Sequence, residues 1–294
     1  MDIPEYPGSR ELTIKDKPVF DAVFIANPPE ISTYTFTNIF AWRKPYNTRL
    51  SRVGDFLILT EHVNDKVMCL EPLGAGDAAK AVDEVFRLSE DDIEFKCIHA
   101  GVAHQANNMG YVVAQDRDNS DYLYLTSDLI ELGGRKYDGK RNWISRFKSQ
   151  YEYEYVRMPH VSPEEAIKFA DYWCEQRDCR SSEGLKNEHT AVYEMLSNFD
   201  ELGIIGGAIK IDGSIAAFSL GEALNTETMV IHVEKASSGM DGVYQVINNE
   251  FAVHEASGFK YINREQDLGI AGLRKAKESY HPVKMVETYR IRRA

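Results

Sequence analysis

Two runs of strand-forming residues that flank the dipeptide Asp212-Gly213 constrain the fold of this chain most strongly. The runs read GIIGGAIKI and SIAAFSLGEAL. An Asp-Gly pair between two such runs is typical of a tight β-hairpin turn. A third run, ETMVIHVEKA, follows after a short polar stretch. The sequence therefore predicts three consecutive antiparallel strands in its second half.

Predicted helices and strands alternate on both sides of this hairpin. Ser162 and Pro163 predict the start of a helix over 163–177, because serine is favoured at the N-cap and proline at the first helical position. A second helix is predicted over 188–198. The third strand is followed by the predicted helix 242–256, strand 260–263, helix 268–280 and strand 283–291.

The first half of the chain repeats the last part of this order of strands and helices. Strands are predicted at 55–63 and 66–72, with a hairpin turn around Asn64-Asp65. Next come helix 76–88, strand 94–98, a short helix around His104 and strand 111–114. Two successive units of this kind predict an internally duplicated α/β (α+β) fold, in which each unit is a mixed, largely antiparallel sheet flanked by helices. We expect a first domain at 1–132, a basic connecting segment at 133–160 and a second domain at 161–294.

Composition excludes several classes of protein. No window approaches 18 consecutive apolar residues, so no transmembrane helix is expected, and the amino terminus lacks the basic start and apolar run of a secretory signal. The four cysteines have no metal-ligand spacing; we expect free, reduced thiols, no metal site, and a protein that is cytoplasmic or peripheral at a membrane. His232 is expected to be structural rather than a catalytic base.

Two basic clusters stand out in a chain of net charge −12. Residues 133–148 contain six basic and one acidic residue, and the stretch from Ala271 to the end contains seven basic and two acidic. A single cluster of this kind is typical of a solvated face. Two in an acidic chain favour a shared anionic ligand, since a local field is set by neighbouring charges rather than by the total.

A glycine- and serine-rich loop follows the third strand. Ser238, Gly239 and Gly242 precede a predicted helix, whose free N–H groups and dipole favour an anion. Asp241 in the same loop would repel a phosphate or would cap the helix. An anion site and an ordinary capped loop both remain open for this segment.

Five polar residues follow the strand 260–263, where one or two would suffice for a turn. They read NREQD, from Asn263 to Asp267. Ligands of open α/β sheets gather outside the carboxyl ends of strands, so Glu265 is a candidate to hold an amine or to accept its proton. Arg264 and Arg274 are candidates to pair with phosphate or with that carboxylate. A purely structural Arg–Glu network is the alternative.

The helix predicted to begin at Leu268 has two faces. Asp267 is expected to cap it. Arg274 and Lys277 fall on one face, whereas an apolar stripe at helical spacing occupies another and consists of Ile270, Leu273, Ala276 and Tyr280.

Several longer stretches carry a family resemblance that spans about residues 15 to 292. They read YTFTNIFAWR, GRKYDGKRNWISRF, IHVEKA with GVYQVINNEFA, and YINREQDLGIAGLRKAKESYHPVK. Together they resemble the carboxyl-terminal domain of bacterial phosphatidylglycerol lysyltransferase and its soluble relatives. The resemblance implies two tandem GNAT-like (acyl-CoA N-acyltransferase) domains, as in the Fem-type aminoacyltransferases, with the active site in the second.

The resemblance also implies an activity. Relatives of this kind transfer an aminoacyl group from charged tRNA, so aminoacyl-tRNA is the expected donor and an amine or hydroxyl of a small molecule, peptide or phosphatidylglycerol-type lipid is the expected acceptor. Two alternatives remain: an acyl-CoA-dependent N-acyltransferase, and a non-catalytic tandem domain that binds tRNA or another partner. The loop ASSGMDG departs from the Q/R-x-x-G-x-G/A pyrophosphate loop of acetyl-CoA enzymes.

The family pattern suggests roles for individual residues. The implied catalytic residues are Glu265, Tyr280 and Glu234, with Tyr280 as a general acid or, equally, a core residue. The implied donor-binding residues are Lys235, Ser238, Gly239, Gly242, Asn263, Arg264, Arg274 and Lys277. The basic segment offers possible tRNA contacts, namely Arg135, Lys136, Lys140 and Arg141.

Overall fold

The computed structural model describes residues 2–63, 66–158 and 160–294. Its helices are α1 Lys17–Ala26, α2 Phe36–Trp42, α3 Ala78–Leu88, α4 Ala100–Asn108, α5 Thr126–Glu131, α6 Asp138–Gln150, α7 Pro163–Gln176, α8 Glu183–Ser197, α9 Phe199–Leu202, α10 Val243–His254 and α11 Ala271–Glu278. Its strands are β1 Arg10–Glu11, β2 Arg49–Val53, β3 Phe56–Val63, β4 Lys66–Leu70, β5 Ile93–Ile98, β6 Val112–Gln115, β7 Asp121–Leu125, β8 Glu154–Arg157, β9 Ile205–Ile211, β10 Ser214–Ala223, β11 Thr228–Ala236, β12 Tyr261–Asn263, β13 Lys284–Val286 and β14 Tyr289–Arg292.

The strands form two seven-stranded mixed sheets of matching design. The first has the order β1-β2-β3-β4-β5-β14-β6 and the second the order β13-β7-β12-β11-β10-β9-β8. In the first sheet β2, β3 and β4 are antiparallel neighbours, and β4 and β5 are parallel. In the second sheet β9, β10 and β11 are antiparallel neighbours, and β11 and β12 are parallel. The predicted fold class, with two sheets flanked by helices, is confirmed.

Each sheet contains one strand from the other half of the sequence. β14, at the end of the chain, lies in the first sheet and pairs antiparallel with both β5 and β6. β7, which follows the elements of the first sheet along the chain, lies in the second sheet and pairs antiparallel with β12. The two halves of the sequence have therefore exchanged the strand that follows the parallel pair.

This exchange sets the boundaries of the two compact units. The first unit comprises the chain up to Asp121 together with 266–271 and 285–294, and the second comprises 122–265 and 272–284. The boundaries predicted from the sequence, 1–132, 133–160 and 161–294, differ from those of the two compact units. Sequence order alone does not reveal an exchanged strand. The basic segment 133–160 carries α6 and β8, and both belong to the second unit.

Local sequence signals explain most element ends. Asp212 and Gly213 have φ angles of 48° and 77°, the left-handed conformations that a tight hairpin turn between β9 and β10 requires. The side chain of Ser162 accepts a hydrogen bond from the backbone N–H of Glu165 and caps α7 as predicted. α8 begins five residues before the predicted start, because Ser182 caps it in the same way. The turn predicted at Asn64-Asp65 lies outside the described residues.

The carboxyl-terminal elements differ from their predictions. α11 begins at Ala271 rather than at Leu268, because Leu268 and Gly269 take left-handed conformations with φ of 54° and 73°. The predicted apolar stripe was wrong: Ile270 and Leu273 are exposed and Lys277 is buried. The predicted strand 283–291 is two strands, β13 and β14, which lie in different sheets.

The expectation of four free cysteines was also wrong. The Sγ atoms of Cys174 and Cys179 form a disulfide bond. The chain folds back at Asp178, which has a φ angle of 48°, and this brings the two Cα atoms to 5.2 Å despite the helical start of the segment. Cys69 and Cys97 are free and buried.

Helices cover both faces of the second sheet. Consecutive side chains of a strand point to opposite faces. Glu234 of β11 contacts Asn248 of α10, whereas the next residue, Lys235, contacts Glu188 of α8. α10 therefore covers one face of the sheet and the α7–α8 pair covers the other.

The exchanged strand β14 carries a core residue of the first unit, and this yields a stability prediction. Ile291 is fully buried in a cluster with Ile58, Phe86 and Phe95, whereas its neighbour Arg292 is exposed. We predict that Ile291→Ala lowers the free energy of unfolding by about 2–5 kcal/mol, the usual loss for a buried isoleucine. Arg292→Ala, the matched control, should stay within about 0.5 kcal/mol of wild type. Equal urea unfolding midpoints for the two variants would show that β14 is not part of the core.

Candidate active site

The carboxyl ends of the parallel strands β11 and β12 bring a group of charged side chains together in the second unit. β11 contributes His232 and Glu234, which share one face because they are two residues apart. Arg264 and Glu265 directly follow β12, whose last residue pairs with Val230. This edge is where open α/β sheets usually bind their ligands.

Arg264 is the central side chain of this group. One of its terminal nitrogens, Nη2, donates to Glu234 Oε2 at 2.5 Å, and its guanidinium lies 4.8 Å from the ring centroid of Tyr280. Burial lowers the pKa of Arg264, but the Glu234 carboxylate outweighs burial and the net shift is upward. Nε and Nη1 are buried and have no hydrogen-bond partner among the described residues. A charged guanidinium with two unused donors can bind an oxygen atom of a ligand.

Glu234 holds its position through two hydrogen bonds. Its Oε2 accepts from Arg264, and its Oε1 accepts from Nδ2 of Asn248 at 2.9 Å. Asn248 lies on α10 and is 1% exposed. The carboxylate is thereby fixed between a helix and the turn after β12.

Lys140 and Tyr280 complete the cluster. The Lys140 ammonium lies 3.8 Å from the ring centroid of Tyr280 and donates to Ser279 Oγ at 2.6 Å. Burial, and then the nearby charge of Arg264, lower the pKa of Lys140 to about 8. Burial raises the pKa of Tyr280, so its hydroxyl stays protonated. The cluster thus holds a proton donor beside an amine that readily loses its proton.

Backbone contacts fix the turn that carries Arg264. The buried Lys277 donates from Nζ to the Arg264 carbonyl, and Asn263 Oδ1 accepts from the Glu265 N–H at 2.8 Å. Tyr122 of β7 accepts from the Arg264 N–H at 3.0 Å and donates to the Glu265 carbonyl at 3.2 Å. These contacts hold Glu265 at a φ of 56°, a left-handed conformation that a glutamate rarely adopts.

The side chain of His232 lies between two glutamates and is completely buried. Its Nδ1 is 2.8 Å from Glu265 Oε1 and its Nε2 is 2.9 Å from Glu222 Oε1. Burial lowers the pKa of His232, but Glu222 and then Glu265 outweigh it and raise the pKa to about 9. Both ring nitrogens therefore donate, as in an imidazolium. The triad anchors Glu265 and agrees with the expected structural role of His232.

Lys235 lies apart from this cluster, on the other face of β11. Its Nζ is 2.7 Å from Glu188 Oε2 and 3.7 Å from the ring centroid of Trp173. Burial lowers the pKa of Lys235, and the partly compensating charge of Glu188 leaves a net downward shift. The predicted grouping of Lys235 with Arg264 ignored the alternation of side chains along a strand.

The loop before α10 has little room for a phosphate at the helix start. A Cβ added to Gly242, whose φ is 89°, would lie 2.4 Å from the Trp143 carbonyl oxygen of α6. Asp241 forms an ion pair of 3.2 Å with Arg146 of the same helix. Ser238 and Gly239 are exposed. α6 therefore packs against the start of α10, where an anion site was predicted.

The predicted tRNA-contact residues divide between structural contacts and the surface. Arg141 donates to the Leu132 and Gly134 carbonyls, and Lys136 forms an ion pair of 3.0 Å with Asp128. Arg135 is exposed. Lys140 instead joins the cluster around Tyr280, and Arg274 on α11 is partly buried.

Gln266 and Asp267, the last residues of the polar turn, have partners within the first unit. Gln266 Nε2 donates to Ser32 Oγ at 2.8 Å and to Asp121 Oδ1 at 2.7 Å. Asp267, fully buried, accepts from Arg117 at 3.1 Å and from the Gly269 N–H at 2.9 Å. Asp267 thus stabilises the turn before α11 rather than capping a helix at Leu268.

The first unit has a cavity at the matching edge of its own sheet. It measures about 490 Å³ and lies at the starts of α3 and α4, with His99 among its lining residues. Glu71 accepts from the His99 N–H at 2.7 Å and lies 3.0 Å from His99 Nδ1. Tyr34 donates to the Cys97 carbonyl and accepts from the Glu71 N–H, which gives the motif YTFTNIFAWR a packing role.

Two further properties concern the part of the chain that the structure describes. Within residues 2–63, 66–158 and 160–294, no helix combines the length and the apolar character needed to cross a bilayer. The same residues contain no group of three or more His, Cys, Asp or Glu side chains arranged to hold a metal ion.

The two matching sheets define a tandem arrangement of mixed α/β units flanked by helices. Residues 27–292 match the family described as phosphatidylglycerol lysyltransferase, C-terminal. The chain belongs to this family, and family and fold together support an acyltransferase related to lysylphosphatidylglycerol synthetase.

Solved structures share this fold. A conserved protein of unknown function from Bacteroides thetaiotaomicron is 33% identical, with a TM-score of 0.89 over 97% of this chain and 99% of that one. The C-terminal domain of a putative lysylphosphatidylglycerol synthetase from Agrobacterium fabrum is 15% identical, with a TM-score of 0.69 over 95% and 92% of the two chains. L-PGS from Bacillus licheniformis is 17% identical, with a TM-score of 0.66 over 100% and 94%.

An uncharacterised protein from Mycoplasmoides gallisepticum is a more distant relative. It is 23% identical over 182 residues, which cover 59% of this chain and 56% of that protein. The chain therefore matches only just over half the length of this curated relative.

Three residues of the cluster escaped the sequence analysis of the active site. Asn248 lies on α10 and Glu222 on β10, where the sequence pattern predicts the helix or strand but not a role for the residue. Lys140 was assigned to a basic surface. Lys140 lies four residues before the buried Ile144 on α6, and this spacing was the one available signal that Lys140 faces inward.

The His232 triad predicts a pH dependence of stability. The pKa of His232 is about 9 in the folded protein against 6.5 for a free histidine, so the stabilisation is complete below pH 6.5 and is lost as the pH rises through 9. A tenfold difference in proton affinity between the folded and unfolded states corresponds to about 1.4 kcal/mol of stability. We expect the free energy of unfolding of wild type to exceed that of His232→Gln most at pH 6 and least near pH 9.5, in urea titrations.

The exposed His104→Gln is the control for this measurement and should leave the pH profile unchanged. A difference between wild type and His232→Gln that stays constant from pH 6 to 9.5 would mean that His232 is neutral in the folded protein.

Proposed function

We propose that the second unit transfers an aminoacyl group from aminoacyl-tRNA to an amine or hydroxyl acceptor. The observation that carries the proposal is the buried Arg264 guanidinium, which keeps two nitrogens without partners among the described residues. Attack on an ester carbonyl develops negative charge on its oxygen, and preorganised donors in a buried site stabilise that charge. Arg264 would bind this oxygen through Nε and Nη1.

Lys140 and Tyr280 would move the protons. Because its pKa is about 8, Lys140 is partly neutral near physiological pH and accepts a proton from the attacking amine or hydroxyl. The new bond forms to the carbonyl carbon, and the bond to the ribose oxygen of the tRNA breaks. Tyr280, which stays protonated, gives its proton to that oxygen and regains one from Lys140.

Glu265 has a different role in this proposal from the base suggested by its position. The His232 imidazolium already engages its carboxylate, so Glu265 holds the turn of Arg264 in place. Glu234 fixes the guanidinium directly. The reaction needs only the ester already present in the donor, and the chain supplies positioning, charge stabilisation and proton transfer.

Two features bear on the choice of donor. At the start of α10, where an acyl-CoA enzyme would hold the pyrophosphate, the Trp143 carbonyl oxygen lies against Gly242, and the adjacent Asp241 carries a negative charge paired with Arg146. Both oppose a phosphate, so coenzyme A is the weaker candidate. For tRNA, the exposed Arg135 is the proposed phosphate contact.

The test is transfer from total tRNA charged with a mixture of radiolabelled amino acids. Acceptors are phosphatidylglycerol vesicles in one arm and amine-containing peptides in the other, with a parallel binding titration of charged tRNA and of coenzyme A at two salt concentrations. Transfer, with tRNA binding that weakens as salt rises, is the expected result. Coenzyme A binding without tRNA binding would assign the chain to the acyl-CoA enzymes. tRNA binding without transfer to any acceptor would favour a non-catalytic binding domain.

Arg264 yields a mutational prediction. Arg264→Gln should lower the transfer rate about 10²–10³-fold, the usual loss when an oxyanion donor is removed. Lys260→Met is the control: it removes an exposed positive charge just before β12, the strand that Arg264 follows, and should leave the rate unchanged. Similar rates for Arg264→Gln and wild type in single-turnover assays would exclude Arg264 from oxyanion stabilisation.

Lys140 yields a pH prediction. The wild-type rate should rise with pH through about 8, as the Lys140 ammonium loses its proton, and Lys140→Met should lose both this rise and most of the activity. Lys148→Met, on the same helix and about half exposed, is the control. A pH–rate profile of Lys140→Met that still rises near pH 8 would assign the base to another group.

A further inference from the structure

Asn248 carries a buried hydrogen-bond acceptor that nothing in the described structure uses. Its side chain is 1% exposed, and its Oδ1 atom has no hydrogen-bond partner among the described residues. Buried side-chain oxygens in folded proteins nearly always have a partner. The unpartnered Asn248 oxygen lies beside Glu234, in the middle of the charged cluster.

The orientation of the Asn248 amide follows from its neighbour. A carboxylate only accepts hydrogen bonds, so the amide nitrogen must be the atom that faces Glu234 Oε1, at 2.9 Å. Oδ1 therefore points away from Glu234. Rotating the amide would place two acceptors against each other, so the unused acceptor is a property of the site.

Glu234 joins this unused acceptor to the unused donors of Arg264. Its Oε1 is bonded to Asn248 and its Oε2 to Arg264, so the two unsatisfied groups flank one carboxylate. A complementary ligand carries both an acceptor oxygen and an N–H donor. An aminoacyl ester has this pattern, because its carbonyl and its α-ammonium are attached to adjacent carbon atoms.

We propose that Asn248 Oδ1 accepts a hydrogen bond from the α-ammonium of the donor while Arg264 binds the carbonyl oxygen. This inference rests on the proposed aminoacyl transfer and adds a specificity-determining residue to it. Glu234 contributes negative charge beside the ammonium. An acyl group without an α-ammonium leaves Asn248 Oδ1 buried and unpaired, so the site selects aminoacyl donors against plain acyl donors.

The experiment compares charged tRNA with the same tRNA esterified with the matching des-amino acid, in which hydrogen replaces the α-ammonium. Wild type should use the des-amino donor at least about 100-fold less well, since a site built to bind an N–H rejects a ligand that lacks the required donor. Asn248→Leu, of similar shape, should slow transfer from the aminoacyl donor and reduce the preference to less than about tenfold. Asn249→Leu, the neighbouring residue, which donates to the Leu129 and Ile130 carbonyls, should keep the wild-type preference.

The outcomes separate this inference from the proposed function. Equal use of both donors by wild type would overturn the inference and leave aminoacyl transfer standing. This comparison uses only the wild-type protein, so it does not depend on whether a variant folds. An undiminished preference in Asn248→Leu would also overturn the role of Asn248. Absence of transfer from either donor to any acceptor would remove the proposed function and the inference together.

Discussion

The pairing of β7 with β12 is the constraint on which the candidate site depends. Tyr122 of β7 forms backbone hydrogen bonds on both sides of the peptide that joins Arg264 and Glu265. β7 comes from the first half of the sequence, so the site of the second unit is held by a strand encoded elsewhere. Lys277, His232 and Asn263 hold the same turn through side-chain contacts. The Arg264 guanidinium is thereby kept in contact with Glu234.

Among the described residues, Arg264 and Asn248 keep buried polar atoms without partners that the proposed donor would satisfy. Arg264 retains two donors and Asn248 one acceptor, and both flank the same carboxylate. Folding alone gains nothing from such an arrangement, because unpaired buried groups destabilise the folded state. Buried polar groups that lower stability in this way are expected at functional sites.

The sequence predicted the elements of the second unit well because their signals are local. Asp212-Gly213 determines a hairpin and Ser162 a helix start through contacts within a few residues. The exchange of β7 and β14 was missed because strand pairing across more than a hundred residues has no local signature. The buried face of α11 was also missed: Lys277 points inward to the Arg264 carbonyl, against the apolar pattern, and only the tertiary contact reveals why.

Strand exchange also has a consequence for how the protein is made. β14 comprises residues 289–292 and follows all the other strands along the chain, and the first sheet needs it between β5 and β6. During synthesis the chain emerges from its amino terminus and early domains ordinarily fold first. Here the first sheet stays open, with β5 and β6 unjoined, until residues 289–292 have been translated, after every strand of the second sheet. The first unit, although its synthesis begins first, is therefore completed only after all the strands of the second sheet have been made.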